Sequence, residues 1–228
     1  VVAVHVHLAP VALPMALRGA RLCVLLHGVE AWQRLRRRER TALGYADRLI
    51  ANSAWTAARF LAANPPADWR DARSPGAPVV CHLGIGADDP AGDDGSPDPA
   101  GTMPPALVVG RLEAEERYKG HDALIAVWPG VVAQVPAARL LIVGDGNDRA
   151  RLERMVADAG LSTHVQFTGR VSDAERARLY RQAAFFVLPS TGEGFGLAYL
   201  EAMRAGLACI AGRSEEHTSE LQSHLNLV

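Results

Sequence analysis

Strand-length apolar runs alternate with helix-length segments along most of the chain, and this alternation limits the folds that it can adopt. The runs, such as residues 22–26 and 140–143, are rich in Val, Leu and Ile. Such runs are typical of strands that are buried on both faces. A strand, a helix and a further strand in succession predict a right-handed βαβ unit. The sequence therefore predicts an α/β fold with parallel sheets.

The same pattern predicts the individual elements. Asn52 and Ser53 are placed to cap the first turn of the third helix. We predict strands at residues 2–8, 22–26, 49–51, 79–81, 106–109, 140–143, 165–168, 185–188 and 207–211. We predict helices at residues 11–17, 33–43, 54–63, from about 122, from about 148, 173–182 and 195–204.

Composition and charge exclude several classes of function. The chain has 228 residues, of which 49% are hydrophobic, and a formal net charge of −1. A general nucleic-acid binder needs a surplus of positive charge, so we expect no nucleic-acid partner. No apolar run reaches the about 18 residues that span a bilayer. Cys23, Cys81 and Cys209 lack metal-ligand spacing and indicate a reducing compartment, which favours a cytoplasmic location.

Residues 87–105 combine Pro, Gly and Asp and offer little to bury, so we place a linker there. It separates a partial first domain, residues 1–86, from a partial second domain, residues 106–212. Val1 is neither an initiator Met nor part of a signal peptide, and the pattern lacks the first strands of the first domain and the closing helices of the second. We therefore expect a fragment that is truncated at both ends. Residues 213–228 contain no Ala, Gly or Pro and resemble a translated sequencing adapter, so we expect an artefactual tail. The alternative is a polar C-terminal helix.

A glycine-rich segment that follows a predicted strand contains two acids. Gly194 and Gly196 let the backbone approach a ligand closely, and the start of the next helix offers unpaired N–H groups to a phosphate. Glu193 precedes that helix, and Glu201 lies about 9 Å along it from Phe195. The two carboxylates could therefore accept hydrogen bonds from both sugars of a nucleotide sugar. The alternative is that Glu193 only interacts favourably with the helix dipole and that Glu201 lies on a solvated face.

Two cations follow another predicted strand. Gly110 and Arg111 come directly after residues 106–109, and Lys119 precedes a glycine near the next helix. Two cations near helix-start amides would neutralise the charge of a departing diphosphate without a metal ion. Lys119 is the only lysine among the 24 basic Lys and Arg residues. The alternative is that it is a surface charge on a polar turn.

His27 ends a predicted strand of the first domain and is followed by Gly28. At the edge of a cleft, its imidazole could bond to a donor sugar or to developing charge. The alternative is a partly buried ring that is satisfied by the backbone. His5, His7 and His82 have no comparable surroundings, and we interpret them as structural.

These motifs resemble those of the retaining GT-B glycosyltransferases of the family 4 type, also called group 1 glycosyltransferases. The resemblance rests on Glu193 and Glu201 within Glu-Gly-Phe-Gly and Glu-Ala-Met contexts and on the motif of Arg111 and Lys119, and it covers residues 1–212. It implies two Rossmann-like domains that face each other across a cleft. It also implies that a hexose of the mannose or glucose type passes, with retention, from a GDP- or UDP-linked donor to a hydroxyl of a glycan or lipid-linked acceptor.

The resemblance further implies what each residue does. It assigns the donor diphosphate to Arg111 and Lys119, the sugar to Glu193, and the ribose to Glu201. It implies same-face attack assisted by the leaving phosphate, with no metal and no cofactor beyond the donor itself. The remaining contacts are implied as follows: sugar or phosphate at the amides of Gly194, Phe195 and Gly196, the base beside Arg170 and Val171, and closure of the site by His27.

One alternative to this interpretation is excluded, and two remain. Residues 144–149 superficially suggest an NAD fingerprint, but Arg149 stands where the third glycine belongs, which excludes it. A nucleotide-sugar-binding fragment without turnover fits the same motifs. A nucleotide-sugar epimerase needs acid/base groups on both sugar faces, for which only His27 and Glu193 are candidates.

A cluster of arginines lies in the predicted helix at residues 33–43, beside Trp32. Basic and aromatic residues together are typical of helices that lie on anionic membranes, so peripheral membrane contact is one interpretation. A solvated helix face is the other. The arginines are Arg34, Arg36, Arg37, Arg38 and Arg40.

Overall fold

A computed structural model describes residues 1–66, 75–85 and 103–212. The chain forms two compact units: Val1–Gly84 with Glu193–Phe195, and Ile85–Gly192 with Gly196–Val228. Most of the predicted linker and all of the predicted tail lie outside the described residues. The domain boundaries and the tail therefore stay predictions.

The first unit contains a four-stranded parallel sheet in the order β1-β2-β3-β4. Its helices carry small and apolar residues into one core, in which Phe60, Leu26 and Leu43 are fully buried. Ser53 caps α3 as predicted, because its hydroxyl accepts a hydrogen bond from the Thr56 amide at 2.9 Å. The elements are β1 (Val2–Ala3), α1 (Ala9–Leu17), β2 (Cys23–Leu26), α2 (Arg37–Gly44), β3 (Arg48–Ala51), α3 (Ala54–Ala63) and β4 (Val79–Val80).

The second unit contains a five-stranded parallel sheet in the order β7-β6-β5-β8-β9. After β5, the strands β6 and β7 are added on one side of it, and the chain then crosses to the other side, where β8 and β9 lie. The elements are β5 (Ala106–Val109), α4 (His121–Gln134), β6 (Leu140–Val143), α5 (Arg149–Asp158), β7 (Val165–Gly169), α6 (Asp173–Gln182), β8 (Phe185–Leu188), α7 (Leu197–Arg204) and β9 (Cys209–Ala211).

This strand order creates a topological switch point between β5 and β8. In open parallel sheets, ligands bind outside the carboxyl ends of the strands at such a point. The core behind it is apolar, with Leu107, Phe186 and Tyr199 fully buried. The loops that follow β5 and β8 are therefore the place to look for a site.

Several predicted elements have other bounds in the structure. The predicted strand at residues 2–8 is wrong beyond Ala3, because Val6–Leu8 form a 3₁₀ helix that begins after His5. The imidazole of His5 accepts a hydrogen bond from the His7 amide at 3.3 Å, which favours a turn over a strand. Of the clustered arginines, only those from Arg37 onward lie in α2.

The second unit shows further differences, among them β9, which begins at Cys209 instead of residue 207. Helix α7 begins at Leu197 instead of residue 195, because Gly196 takes a left-handed conformation with φ of 81°. The predicted distance of about 9 Å along the helix axis from Phe195 to Glu201 therefore does not apply, because Phe195 lies outside the helix. A 3₁₀ helix at Ala114–Lys119 was not predicted.

Across the described ranges, none of the helices is long and apolar enough to cross a membrane.

Candidate functional site

The loop after β5 carries the two predicted cations, and we call Gly110, Arg111 and Lys119 the cation end. Arg111 is 69% exposed and forms an ion pair with Glu116 of the 3₁₀ helix. The alkyl chain of Lys119 lies beside Gly110, because a Cβ atom placed on Gly110 would be 3.6 Å from Lys119 Cδ. The structure thus brings Gly110 and Lys119 together at the carboxyl end of β5.

The loops after β5 and β8 are joined to each other. The Thr191 amide donates a hydrogen bond to the Tyr118 carbonyl at 2.8 Å. Gly120 has a left-handed φ of 79°, and a Cβ on it would lie 2.4 Å from the Pro189 carbonyl oxygen. Only glycine combines this conformation with this approach. The cation end therefore lies at the switch point of the sheet.

Sequence reasoning missed His121, the first residue of α4. Its side chain lies beside Gly110 and the residue is 5% exposed. Within the described part of the chain, its Nε2 is buried without a hydrogen-bond partner. Burial, followed by the charge of Lys119, lowers the pKa of His121 from 6.5 to about 4. The imidazole is thus neutral at pH 7, and its only sequence signal is its place next to the Lys-Gly pair.

Glu201 projects from α7 and is held by two side chains of α6, and we call Glu201, Arg176 and Tyr180 the acid end. The Tyr180 hydroxyl donates to Glu201 Oε2 at 3.1 Å. The Arg176 guanidinium lies 3.4 Å from Glu201 Oε1. The Glu201 side chain is 30% exposed, so it is only partly solvated.

Sequence reasoning missed both of these partners. Arg176 and Tyr180 are four residues apart on α6 and therefore share one face of that helix. This spacing was the available signal. Burial, followed by the charge of Glu201, raises the pKa of Tyr180, so its hydroxyl stays protonated and able to donate.

Arg170 and Val171 connect β7 to α6. Arg170 is exposed, whereas Val171 is partly buried and packs on the core of the unit. Ser172 follows and caps α6, since its hydroxyl accepts a hydrogen bond from the Glu175 amide at 3.2 Å. This connection leads directly into the helix that carries Arg176 and Tyr180. The predicted contact with a base stays a prediction.

His27 follows β2 in the first unit. Its ring Nε2 lies 2.8 Å from the Val4 carbonyl oxygen, a contact with the backbone. The amides of His27 and Gly28 both donate to the Glu30 carboxylate, at 2.6 and 3.1 Å. The loop is therefore well fixed, and the role of the imidazole stays a prediction.

The segment Glu193–Phe195 belongs to the first unit. The Gly194 carbonyl accepts a hydrogen bond from the Ser53 hydroxyl at 3.3 Å. The Phe195 ring lies 5.9 Å from the His82 ring, centroid to centroid. Phe195 lies before α7 and not inside it, which corrects the predicted helix.

The predicted site residues are thus divided between the two units. Whether they line one pocket stays a prediction. No group of three His, Cys, Asp or Glu residues that could hold a metal ion occurs in residues 1–66, 75–85 and 103–212. The first unit contains His27, Glu193, Gly194 and Phe195, and the second contains Gly110, Arg111, Lys119, Arg170, Val171, Gly196 and Glu201.

The parallel sheet and the loops at its switch point define a Rossmann-like α/β protein of the kind that binds nucleotides. Residues 104–225 match the sequence model of the family described as glycosyl transferases group 1. The chain belongs to this family. The match extends beyond residue 212 into the predicted tail, whose structure lies outside the described residues.

The chain is also similar to individual mannosyltransferases. It is 33% identical over 232 residues to the GDP-mannose-dependent alpha-(1-6)-phosphatidylinositol monomannoside mannosyltransferase of Mycolicibacterium smegmatis, with 90% of this chain and 56% of that protein covered. It is 38% identical over 120 residues to the phosphatidyl-myo-inositol mannosyltransferase of Mycobacterium tuberculosis, with 52% and 29% covered. The chain thus spans about half, or less, of the length of these relatives.

Solved structures share the fold. The Anabaena protein HepE, solved with UDP, has a TM-score of 0.67 at 20% identity, with 92% of this chain and 58% of that chain covered. The pneumococcal O-GlcNAc transferase GtfA, solved with UDP and GlcNAc, has a TM-score of 0.65 at 18% identity, with 94% and 46% covered. These structures support the predicted GT-B fold.

Proposed function

We propose that the chain is part of a retaining glycosyltransferase that moves mannose from GDP-mannose to a hydroxyl of a lipid-linked acceptor. Family membership and the position of the cation end at the switch point carry this proposal. The M. smegmatis relative, named as GDP-mannose-dependent, supports the donor. Its name also supports a glycolipid acceptor.

At the cation end, Lys119 and Arg111 bind the donor diphosphate. Lys119 lies just before the amino end of α4, where the helix dipole also favours an anion. Positive charge held at this place stabilises the negative charge that develops on the leaving GDP. We propose that side chains supply this charge without a metal ion, so we expect EDTA to leave the transfer rate unchanged.

Glu201 accepts hydrogen bonds from the ribose, while Arg170 and Val171 border the base. Glu193 and the amides of Gly194, Phe195 and Gly196 hold the sugar, and His27 closes the site. Since none of these residues is an obvious covalent nucleophile, the acceptor attacks the same face that the diphosphate leaves. The leaving phosphate then takes the proton of the acceptor hydroxyl, and retention follows.

Labelled GDP-mannose tests the proposal. We expect Lys119→Ala to lower kcat about 100-fold with a smaller change in KM, because the lost charge acts mainly on the leaving group. Glu201→Gln should instead raise the KM for the donor. Glu153→Gln on α5, whose carboxylate pairs with Arg149, is the control and should change neither. Unchanged kinetics in both site variants would contradict the site.

A nucleotide-sugar-binding fragment without turnover is the second candidate, because the chain covers only 56% of the M. smegmatis relative. It predicts that GDP-mannose binds while neither mannosyl transfer nor release of GDP occurs. Equilibrium binding and product release, measured on the same preparation, separate the two.

We further propose peripheral contact with the cytoplasmic face of a membrane. Arg36, Arg37 and Arg38 are exposed at the start of α2. Helix α1 packs on α2 and exposes Val11 at 74% and Met15 at 52%. Basic and apolar side chains on neighbouring helices suit an anionic lipid surface.

Flotation with vesicles tests this contact. The chain should float with vesicles that contain phosphatidylinositol and not with pure phosphatidylcholine. Replacing the three arginines with glutamine should abolish flotation. Equal flotation with both lipids would contradict the proposed role of charge.

A further inference from the structure

The Glu201 carboxylate has more acceptor capacity than the protein uses. A carboxylate offers about four acceptor sites, two on each oxygen. In the described part of the second unit, Tyr180 takes one on Oε2 and Arg176 takes one on Oε1. One site on each oxygen is left for a ligand. Two hydroxyls on neighbouring carbons fit such a pair of oxygens.

From this geometry we propose that Tyr180 and Arg176 are positioning residues, which hold the Glu201 carboxylate oriented to accept hydrogen bonds from the two vicinal hydroxyls of a ribose. The inference rests on the proposed function, which assigns the ribose to Glu201. It adds two residues of another helix, neither of which touches the ligand.

Tyr180 is the stronger of the two supports. Its residue is 2% exposed, and its ring packs against Phe186 at 5.9 Å between centroids, so its hydroxyl has a fixed place. The hydroxyl lies 3.1 Å from Glu201 Oε2 and 3.3 Å from the Ala198 carbonyl oxygen. It has one proton, and the charged carboxylate is the stronger acceptor. Tyr180 therefore fixes Oε2.

Arg176 acts on the other oxygen. One of its amino groups lies 3.4 Å from Glu201 Oε1, and the other donates to the exposed Asp173 carboxylate at 2.8 Å. The guanidinium thus donates toward Oε1 and helps to fix the direction in which that oxygen points. Because this contact is longer and more exposed, its loss should have a smaller effect than the loss of the Tyr180 hydroxyl.

Binding of GDP and of 2′,3′-dideoxy-GDP, measured by calorimetry, tests the inference. Tyr180→Phe should weaken the binding of GDP about ten-fold, and Arg176→Gln should weaken it about three-fold, as expected for hydrogen bonds to a charged group. Neither should change the affinity for the dideoxy analogue, which lacks both hydroxyls. Arg176→Lys should restore part of the loss.

A double-variant cycle sharpens the test. If Tyr180 acts through Glu201, Tyr180→Phe should weaken GDP no further once Glu201→Gln is present. Arg178→Gln is the matched control, because Arg178 lies on the same helix but pairs with Glu175. It should leave both affinities unchanged.

The outcomes separate this inference from the proposed function. If Glu201→Gln does not weaken GDP, the assignment of the ribose to Glu201 is wrong. If Glu201→Gln weakens GDP selectively while Tyr180→Phe and Arg176→Gln do not, the positioning role is wrong. Equal losses for both nucleotides indicate a merely structural role and also overturn it. If Tyr180→Phe does not fold, the two Arg176 variants decide.

Absence of GDP binding by the unsubstituted chain would overturn the proposed donor instead. The same comparison is then made with UDP and its dideoxy analogue.

Discussion

The two ends of the candidate site in the second unit are built in different ways. The shape of the cation end comes from backbone: Gly120 lets the loops after β5 and β8 approach each other. The acid end comes from side chains: Tyr180 and Arg176 hold Glu201 across two helices. The cation end therefore depends on a left-handed backbone conformation that few residues adopt. The acid end depends on single hydrogen bonds between side chains.

This difference predicts how each end responds to substitution. A backbone-built site should fail through loss of folding when a Cβ is added, whereas a side-chain-built site should lose function while it keeps its fold. His121 is buried in its neutral form beside the cation end. The stability of that end should therefore depend on pH, whereas that of the acid end should not.

The largest effect is expected for Gly120→Ala. The new Cβ would meet the Pro189 carbonyl oxygen, and φ of 79° is strained for alanine. We expect a loss of about 3 kcal/mol or more in the free energy of unfolding, measured with urea. Gly160→Ala is the matched control, since Gly160 has φ of 67° but no atom within 4 Å of a Cβ. It should lose only about 1 kcal/mol, and equal losses would show that the close approach is unimportant.

The next largest effect concerns pH. The pKa of His121 is about 4 in the folded state and 6.5 ordinarily, so between these values the unfolded chain binds a proton that the folded chain does not. The contribution of His121 to the free energy of unfolding should be fully present above pH 6.5. It should fall by about 2–3 kcal/mol as the pH decreases to 4. His121→Phe should remove this part of the pH dependence. An unchanged slope of unfolding free energy against pH in that variant would contradict the assignment.

A middle-sized effect is expected at the start of α6, which carries both supports of the acid end. Ser172→Ala removes the hydroxyl that accepts from the Glu175 amide. We expect a loss of about 1 kcal/mol in unfolding free energy. Amide exchange at Glu175 should become faster. Ser172→Asn keeps a capping oxygen and should restore both measurements, and failure of this rescue would argue against the cap.

The smallest effect is expected for Glu116→Gln. It replaces the ion pair between Glu116, whose side chain is 14% exposed, and Arg111, whose side chain is 69% exposed, with a neutral hydrogen bond of similar shape, so the change in unfolding free energy should be within about 0.5 kcal/mol. Arg111 then carries an unneutralised charge, and pyrophosphate should bind about two-fold more tightly at low salt. Glu115→Gln, whose carboxylate instead accepts from Asn147, is the control. Equal gains in both variants would indicate general charge and not Arg111.

Local patterns predicted much of the fold. The bounds of α3, α6, β5, β6 and β8 agree with the sequence prediction, because their apolar runs or caps are unambiguous. The strand predicted at residues 2–8 failed beyond Ala3 because the His5 imidazole accepts a hydrogen bond from the His7 amide and favours a turn, although the residues alternate as in a strand. The start of α7 was misplaced because the sequence does not show which of several glycines takes a left-handed φ.

The candidate site was predictable only where a motif carries it. Arg111 and Lys119 lie at the end of one strand and its loop, so their proximity to the switch point follows from sequence. The contact between Tyr180 and Glu201 depends on how two helices pack, which local spacing does not determine. The burial of His121 depends likewise on surrounding loops.

The hydrogen bond from Thr191 to Tyr118 has a consequence for the order in which the protein assembles. These residues are 73 positions apart. During synthesis, the loop of Tyr118 leaves the ribosome long before its partner exists, and closing so distant a contact is slow. The cation end is therefore among the late parts of this unit to form, and a nascent chain that stops before residue 189 carries Lys119 without the neighbour that holds its loop in place.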